Sequence, residues 1–156
     1  MRIAGVDPDT KSITIFIIGD DRSERIRIQA KGRRAEDRFL SLVEDILKVT
    51  RNHDRPPLAD YVYIERPFVG PNRKAAIDMG MVVGALRGAL VRADIPHSLI
   101  DPSVWKTNTM GTSNVSKEEI KQWAMVRFEL PGNLEQDHYD AACIAAYGMQ
   151  VLGKGK

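Results

Sequence analysis

The 156-residue sequence predicts an α/β protein with a five-stranded mixed sheet and helices on both faces. Three β-branched, apolar segments follow one another at the start of the chain, which is typical of an antiparallel meander. Later apolar segments alternate with longer amphipathic ones, which is typical of parallel strands joined by helices. Because no repeat, low-complexity stretch or linker divides the chain, residues 1–156 are expected to form a single domain.

The predicted strands are short apolar or alternating segments between turn residues. They cover residues 2–7, 12–19, 24–30, 60–65 and 97–100. Asp9 and Thr10 favour a tight turn, so the first two strands are predicted to form a hairpin. The third alternates apolar with mostly basic residues, which predicts one buried face and one basic face.

The predicted helices follow from apolar spacing and capping signals. They cover residues 35–51, about 73–93, 116 to just before Leu130, and about 137–152, with a helical turn at 102–107 and a polar loop at 107–115. Ser116 and Glu119 have the spacing of a capping box. The last helix is apolar almost all round, so it is expected to be buried together with Cys143.

Small residues form a stripe on the helix near 73–93, at Gly80, Gly84, Ala85 and Gly88. A glycine costs about 1 kcal/mol at each helical site. The stripe therefore implies a close contact that compensates for this cost, either with the sheet of the same chain or with a second subunit.

Composition excludes several classes of function. A single cysteine excludes an internal disulfide and a cysteine-based zinc site. The sequence has no signal-peptide pattern and no apolar run of membrane-spanning length, so a cytoplasmic protein without a membrane partner is expected. Charge is nearly balanced, with 23 Lys and Arg against 21 Asp and Glu. If metal held four of those acids, the remaining surface would be basic and would favour a polyanionic partner.

Four acidic residues stand where strands end or a helix begins. Asp7 and Glu65 close apolar strands, and Asp137 and Asp140 open the last helix. Strand ends and a helix start can meet at one edge of a sheet, where four negative charges repel unless cations neutralise them. Oxygen ligands suit Mg²⁺ or Mn²⁺, so we predict a divalent-metal site, with two ions, for phosphate chemistry. No small-molecule cofactor is expected.

Five motifs in order resemble the RuvC type of Holliday junction resolvase, a branch of the RNase H-like nuclease superfamily. They are Gly5-Val6-Asp7-Pro8, Ile64-Glu65-Arg66-Pro67-Phe68, the Gly-rich helix from Asn72, the lysine motifs at Val104-Trp105-Lys106 and Ser116-Lys117, and Asp137-His138-Tyr139-Asp140-Ala141. Asp9 departs from the family pattern, which often has Gly there. The compact chain is more similar to a phage or viral member.

The resemblance implies an RNase H-like fold and a homodimer that cuts four-way DNA junctions in symmetric pairs. It implies that two metal ions drive hydrolysis and that the nick carries a 5′ phosphate. Lys106 and Lys117 would act at the scissile phosphate. Some members carry His in the place of the first acid of the closing pair, and here we favour Asp137 over the neighbouring His138.

Four residues are predicted to contact DNA: Phe68, Arg66, Arg73 and Lys74. An exposed Phe68 would stack on an unpaired base at the branch point, while a buried Phe68 would cap the core. Arg66, Arg73 and Lys74 would bind phosphates. The basic run between Arg22 and Arg34 is interpreted as a solvated strand face and turn.

Each predicted site residue, taken alone, could have a purely structural role. Asp7 could form a turn before Pro8, Glu65 could pair with Arg66, and the acids of the last helix could serve its macrodipole. Lys106 and Lys117 could be solvated surface lysines.

Three rival functions stay open from sequence. The first is a nuclease of the same superfamily acting on other branched DNA or on RNA–DNA hybrids. The second is a nucleotide-binding or regulatory domain, and the third is a non-catalytic nucleic-acid-binding protein of the same fold.

Overall fold

A central sheet organises the computed structural model, which describes residues 1–20, 22–50, 57–67 and 70–153. Its strands are β1 (Ile3–Pro8), β2 (Ser12–Ile18), β3 (Ser23–Gln29), β4 (Tyr61–Glu65) and β5 (His97–Ile100). Their order across the sheet is β3-β2-β1-β4-β5. The first three strands are antiparallel, whereas β4 is parallel to both β1 and β5. The predicted five-stranded mixed sheet is therefore confirmed within the described residues.

Helices cover both faces of this sheet, as predicted. They are α1 (Ala35–Thr50), α2 (Arg73–Arg92), α3 (Pro102–Met110), α4 (Lys117–Phe128) and α5 (Gln136–Gly153). One buried cluster joins α1 and α2 to the sheet, and a second joins α3, α4 and α5 to its opposite face. Alternation along β1 explains this division, because Ala4 and Val6 belong to the first cluster and Ile3 to the second.

The closest contact between a helix and the sheet is that of α5 with β1. A Cβ atom on Gly5 would clash with the backbone of α5 at Ala141 and Ala145. On α5 itself, a Cβ atom on Gly148 would lie 2.6 Å from Ile3 of β1. These two glycines and the small residues of α5 allow the helix to lie directly on the central strand. Cys143 is fully buried there, as predicted.

The helix α3 extends further than the sequence indicated, because residues 107–110 are helical and not part of a loop. Pro102 occupies the first turn, where a missing N–H costs nothing. The polar residue Asn108 donates its side-chain amide to Val104 O at 2.9 Å and so stays within the helix. Gly111 ends the helix in the left-handed conformation, with φ of 83°. The prediction of a polar loop beginning at 107 was wrong for these reasons.

The helix α4 begins as the capping motif indicated. The Ser116 hydroxyl accepts a hydrogen bond from Glu119 N at 3.2 Å, and the Glu119 carboxylate accepts one from Ser116 N at 2.8 Å. This reciprocal pair fixes the first residue of the helix, Lys117, relative to the preceding loop.

The glycine stripe on α2 does not pack on the sheet of its own chain. A Cβ atom on Gly80, Gly84 or Gly88 would meet no described atom within 4 Å. Close packing on the sheet is thus the wrong explanation for this stripe, and contact with a second subunit remains a prediction. None of the described helices is long and apolar enough to span a membrane.

Candidate active site

Asp7 and Glu65 are neighbours because their strands run parallel and side by side. Val6 lies opposite Ile64 in the register of β1 and β4, and each carboxylate is the next residue of its strand. The carboxyl ends of parallel strands face the same edge of a sheet, which is where open α/β sheets bind their ligands.

Asp137 and Asp140 reach the same edge from the first turns of α5. They are three residues apart and therefore share one face of the helix. Because Gly5 has no side chain, the backbone at Ala141 can lie against β1, only two residues before Asp7 along the strand. The close packing of α5 thus brings its acidic turn to the end of the central strand.

The pKa of Asp7 is affected by the three other carboxylates at this edge of the sheet. Burial is the main cause of a pKa that rises from 3.8 to about 8, and the charges of Glu65, Asp140 and Asp137 follow in that order. A carboxyl group in this setting keeps its proton unless a cation compensates its charge. The structure therefore brings together all four residues that the sequence nominated as ligands.

Glu65 and Asp140 also have raised pKa values, with burial as the largest cause in both cases. Hydrogen bonds oppose these shifts. The indole N–H of Trp105 donates to Glu65 Oε2 at 2.7 Å, and the amide of Gln136 donates to Asp140 Oδ1 at 3.0 Å. These donors stabilise the charged carboxylates and hold one oxygen of each in place.

The four carboxylates are the kind of ligand that a divalent cation prefers, although three of them contact other side chains of the protein. In the described residues, Glu65, Asp137 and Asp140 each have one oxygen engaged, by Trp105, Arg27 and Gln136 respectively. Their other oxygens and both oxygens of Asp7 have no partner among residues 1–20, 22–50, 57–67 and 70–153. Across those same ranges, no three acidic, histidine or cysteine side chains are already arranged to hold one metal ion. Their role as metal ligands thus stays a prediction.

Both predicted lysines lie within electrostatic reach of this cluster. Lys106 opposes the rise in the pKa of both Glu65 and Asp140, and Lys117 does so for Asp140. Lys106 is half-buried, with its Nζ atom 5.4 Å from the centre of the Trp105 ring. Lys117 is exposed at the start of α4. The two ammonium groups therefore approach the carboxylates from α3 and α4, whereas their catalytic role stays a prediction.

Three of the four residues predicted to contact DNA lie in the described part of the chain. Arg66, Arg73 and Lys74 are exposed, and two of them are paired within the chain. Arg66 Nε lies 3.3 Å from Asp101, and Lys74 Nζ lies 2.9 Å from Asp78. Phe68 lies outside the described residues.

His138 lies on α5 next to Asp137, and its environment differs from that of the carboxylates. It is half-buried, and its Nδ1 atom is buried without a partner in the described part of the chain. Burial is the main cause that lowers the pKa of His138, followed by the charges of Arg27 and Arg25. A neutral imidazole is the favoured form in this setting.

Sequence reasoning missed two residues that contact the site. Trp105 lies in a motif from which only Lys106 was assigned a function, and its indole is the partner of Glu65. Arg27 belongs to the basic run that was interpreted as a solvated face, yet it pairs with Asp137. The alternation of β3 indicated which face Arg27 lies on, but only the packing of α5 shows what covers that face. Other members of the run do pair locally, as Arg34 does with Asp37 at 2.8 Å.

A family model and similar proteins match most of this chain and carry the same family name. The family model for crossover junction endodeoxyribonuclease RuvC matches residues 3–147. Among similar proteins, RuvC of Chromobacterium violaceum is 30% identical over 151 residues, covering 92% of this chain and 83% of that protein. RuvC of Xanthomonas euvesicatoria is 26% identical over 147 residues, covering 92% of this chain and 84% of that protein.

Solved structures show the same fold. Thermus thermophilus RuvC in complex with a Holliday junction substrate matches with a TM-score of 0.81 at 20% identity, covering 99% of this chain and 96% of that one. The yeast mitochondrial Holliday junction resolvase Ydc2 matches with a TM-score of 0.60 at 13% identity, covering 97% and 80%. The RNase H-like fold that the motifs implied is thereby confirmed.

Proposed function

Because the chain belongs to the RuvC family of crossover junction endodeoxyribonucleases, we propose that it resolves four-way DNA junctions by paired symmetric nicks. It would do so in the cytoplasm of a bacterium or of a phage-infected cell. The observation that carries the proposal is the position of Asp7, which lies half-buried at the end of β1 with three other carboxylates near enough to help raise its pKa to about 8. Such a cluster is favourable in its charged form only when a cation is bound to it.

Asp7, Glu65, Asp137 and Asp140 would hold the metal, which we propose to be two Mg²⁺ or Mn²⁺ ions. An all-oxygen donor set fits hard divalent cations. When bound there, the ions would supply Lewis acidity for hydrolysis of a phosphodiester and for the charge that develops on its leaving oxygen. Trp105 supports this role from the protein side, because its indole N–H fixes the orientation of the Glu65 carboxylate.

The two lysines would act on the phosphate. Lys106 and Lys117 reach the carboxylates from two different helices, so a phosphate bound at the cluster would lie near both ammonium groups. Positive charge placed where negative charge develops lowers the barrier to phosphoryl transfer. Lys106 is held in place by the ring of Trp105, whereas Lys117 is held by the capped first turn of α4.

The DNA strands would be bound by the exposed basic residues near the start of α2. Arg66, Arg73 and Lys74 are accessible to phosphates. We further propose that Phe68 stacks on a base at the branch point, a contact worth about 1–3 kcal/mol.

A homodimer would place one active site on each of two strands. We propose that the exposed face of α2 forms its interface. Ile77 is 64% exposed, Met81 48% and Val91 69%, although all three are apolar. The glycine stripe beside them leaves space in which a second helix could approach closely.

Two other functions use the same fold. One is cutting of flaps, other branched DNA or RNA–DNA hybrids, for which the carboxylate cluster would be equally suited. The other is binding of nucleic acid without cutting, a function that does not require four carboxylates close to one another.

A panel of substrates separates these functions. We expect the protein with Mg²⁺ or Mn²⁺ to nick a synthetic four-way junction in symmetric pairs that ligase can seal. A flap, a plain duplex and an RNA–DNA hybrid of the same sequence should be cut at least about tenfold more slowly. Preferred cutting of the flap or the hybrid would establish that rival instead. Junction binding without cutting in either metal would establish the non-catalytic one.

A further inference from the structure

Arg27 occupies a position across the sheet from Asp7 and on the same face. Asp7 lies opposite Thr14 in the register of β1 and β2, and Thr14 lies opposite Arg27 in that of β2 and β3. Side chains in such a row project to one side of a sheet. Here that side is the one covered by α5, so Arg27 extends from the edge strand toward the acidic turn of the helix.

Buried hydroxyl groups anchor the guanidinium from below. Arg27 donates one hydrogen bond to Thr14 Oγ1 at 3.3 Å and another to Ser12 Oγ at 3.2 Å. Both hydroxyl residues are buried, with 0% and 3% of their surfaces exposed. The Arg27 side chain itself is only 22% exposed. Its planar group is thus held in one orientation by the sheet.

The same guanidinium contacts the start of α5. Its Nη1 atom lies 3.2 Å from Asp137 Oδ2, and its Nη2 atom forms an ion pair with Glu135, the residue just before the helix. Glu135 is 67% exposed and Asp137 34% exposed. Arg27 therefore links two strands of the sheet to the turn that carries one of the proposed metal ligands.

We propose that Arg27 is a positioning residue for the metal site, one that fixes the carboxylate of Asp137 so that its Oδ1 atom can take a divalent cation. The inference rests on the proposed function and deepens it. One oxygen of Asp137 is sufficient for Arg27, and the other has no partner in the ranges that the structure describes. Glu135 and the two hydroxyl groups hold the guanidinium in place, so Asp137 can keep its contact with Arg27 through Oδ2 while its Oδ1 atom faces an ion.

This arrangement has a measurable consequence for cation affinity. Partners that orient a metal ligand are typically worth about 10–100-fold in affinity. A simple competitor would behave in the opposite way, because its removal would free Asp137 and tighten binding. The direction of the change in affinity therefore tells an orienting arginine from a competing one.

The test measures Mn²⁺ binding directly, by the electron paramagnetic resonance signal of the free ion, together with the Mn²⁺ concentration that half-saturates junction cutting. We expect R27Q to weaken Mn²⁺ binding about tenfold or more. R27K keeps the charge but not the planar fork, so it should weaken binding less. The matched control is R25Q, which removes a charge two residues away on the same face of β3 and should stay within about twofold of the unaltered protein.

A double-mutant cycle isolates the contact with Asp137. In a D137N background, R27Q should change Mn²⁺ affinity by less than about twofold, because the carboxylate it orients is gone. If R27Q does not fold, as judged by circular dichroism, R27K carries the test alone with the same expected direction.

Unchanged or tighter Mn²⁺ binding by R27Q or R27K would overturn the inference and leave the metal site intact. The same holds if R27Q weakens binding equally in the presence and absence of the Asp137 carboxylate. Failure of the unaltered protein to bind Mn²⁺ would overturn the proposed metal site, and the role of Arg27 with it.

Discussion

A half-buried aspartate whose pKa is raised to about 8 stabilises the protein only while it keeps its proton. Asp7 is raised from 3.8 to about 8, chiefly by burial and then by the neighbouring carboxylates. Its contribution to stability is full below about pH 4 and disappears as the pH rises to about 8. The metal-free protein should therefore lose stability across this range, and divalent cations should restore it at the upper end.

This pH dependence can be measured by thermal unfolding in EDTA. We expect the melting temperature of the unaltered protein to fall as the pH rises from 4 to 8. The reason is that the pKa of Asp7 is about 8 in the folded protein, so the unfolded chain loses this proton at a lower pH than the folded one. Asp7→Asn removes this group, so its melting temperature should fall less over the same range, and Mg²⁺ should raise it less at pH 8. Parallel profiles for both proteins would contradict the convergence of charges on Asp7.

Trp105 provides a second test at the residue scale. Trp105→Phe keeps a buried ring but removes the N–H group that Glu65 accepts at 2.7 Å. The unpaired carboxylate should cost about 1–3 kcal/mol of stability, and metal affinity should fall by about 10-fold. Metal affinity can be followed by titration calorimetry, and stability by urea unfolding.

The matched control for this change is Trp123→Phe. Trp123 is half-buried on α4 and packs with Phe128, at 6.0 Å between ring centres, rather than with the carboxylates. Equal losses of metal affinity in the two variants would show that the indole of Trp105 has no specific role.

At the residue scale, the sequence indicated the four acids that the fold brings together but not the side chains that contact them. The four acids could be nominated because a charged residue is conspicuous at the end of an apolar strand or at the start of an apolar helix. Trp105 and Arg27 could not be nominated in this way. A tryptophan in an apolar motif is typical of the core, and an arginine on an alternating strand is typical of the solvent-exposed face. Their partners are 40 residues away in one case and on α5 in the other, and only the fold brings these together.

At the scale of elements, the contact between β1 and α5 decides the geometry of the site. Gly5 is the position that permits it, because any side chain there would clash with the backbone of Ala141 and Ala145. Backbone atoms cannot move aside as flexible side chains do, so the helix itself must shift.

We expect Gly5→Ala to destabilise the protein by about 3 kcal/mol or more and to abolish cutting. Urea unfolding and junction cleavage measure the two effects. Gly153→Ala, at the far end of the same helix, meets no described atom within 4 Å and is the control. If Gly5→Ala were as stable and active as this control, α5 would not rest on β1 as described.

Element boundaries followed from sequence where a local signal marks them. The capping box at Ser116 placed the start of α4 correctly. The end of α3 was missed because Thr107, Asn108 and Thr109 have the composition of a loop. Trp105 is buried to 1% exposure, and this tertiary contact, together with the left-handed Gly111, favours a helix that composition disfavours.

At the scale of the whole molecule, the face of α2 should control assembly. Met81→Arg places a charge among the exposed apolar residues of that face and should convert the proposed homodimer to a monomer. Analytical ultracentrifugation measures this change. The monomer should nick junctions singly rather than in symmetric pairs, because each copy has one active site.

Val126→Arg is the control for this substitution. Val126 is 83% exposed on α4, on the opposite side of the sheet, so the same change of charge should leave the dimer intact. A Met81→Arg protein that remains dimeric would place the interface elsewhere.

The mixed sheet and its covering of helices on both faces were predictable because strand periodicity and the family motifs indicate the same elements. Which face of α2 lies open was not, because a glycine stripe suits contact with a sheet as well as contact with a subunit. Only the position of α2 over the sheet, with its glycines pointing away, separates these two possibilities.

The proposed role of the carboxylates around Asp7 is to hold divalent cations that cut a bound junction. The most direct measurement follows cleavage of a labelled four-way junction by Glu65→Gln and Asp7→Asn proteins in Mg²⁺, alongside their junction affinity in EDTA. We expect both variants to bind the junction as the unaltered protein does but to cut it at least about 10³-fold more slowly, because each lacks a group central to charge stabilisation. Cutting by either variant at a rate near that of the unaltered protein would contradict the proposed role of these carboxylates.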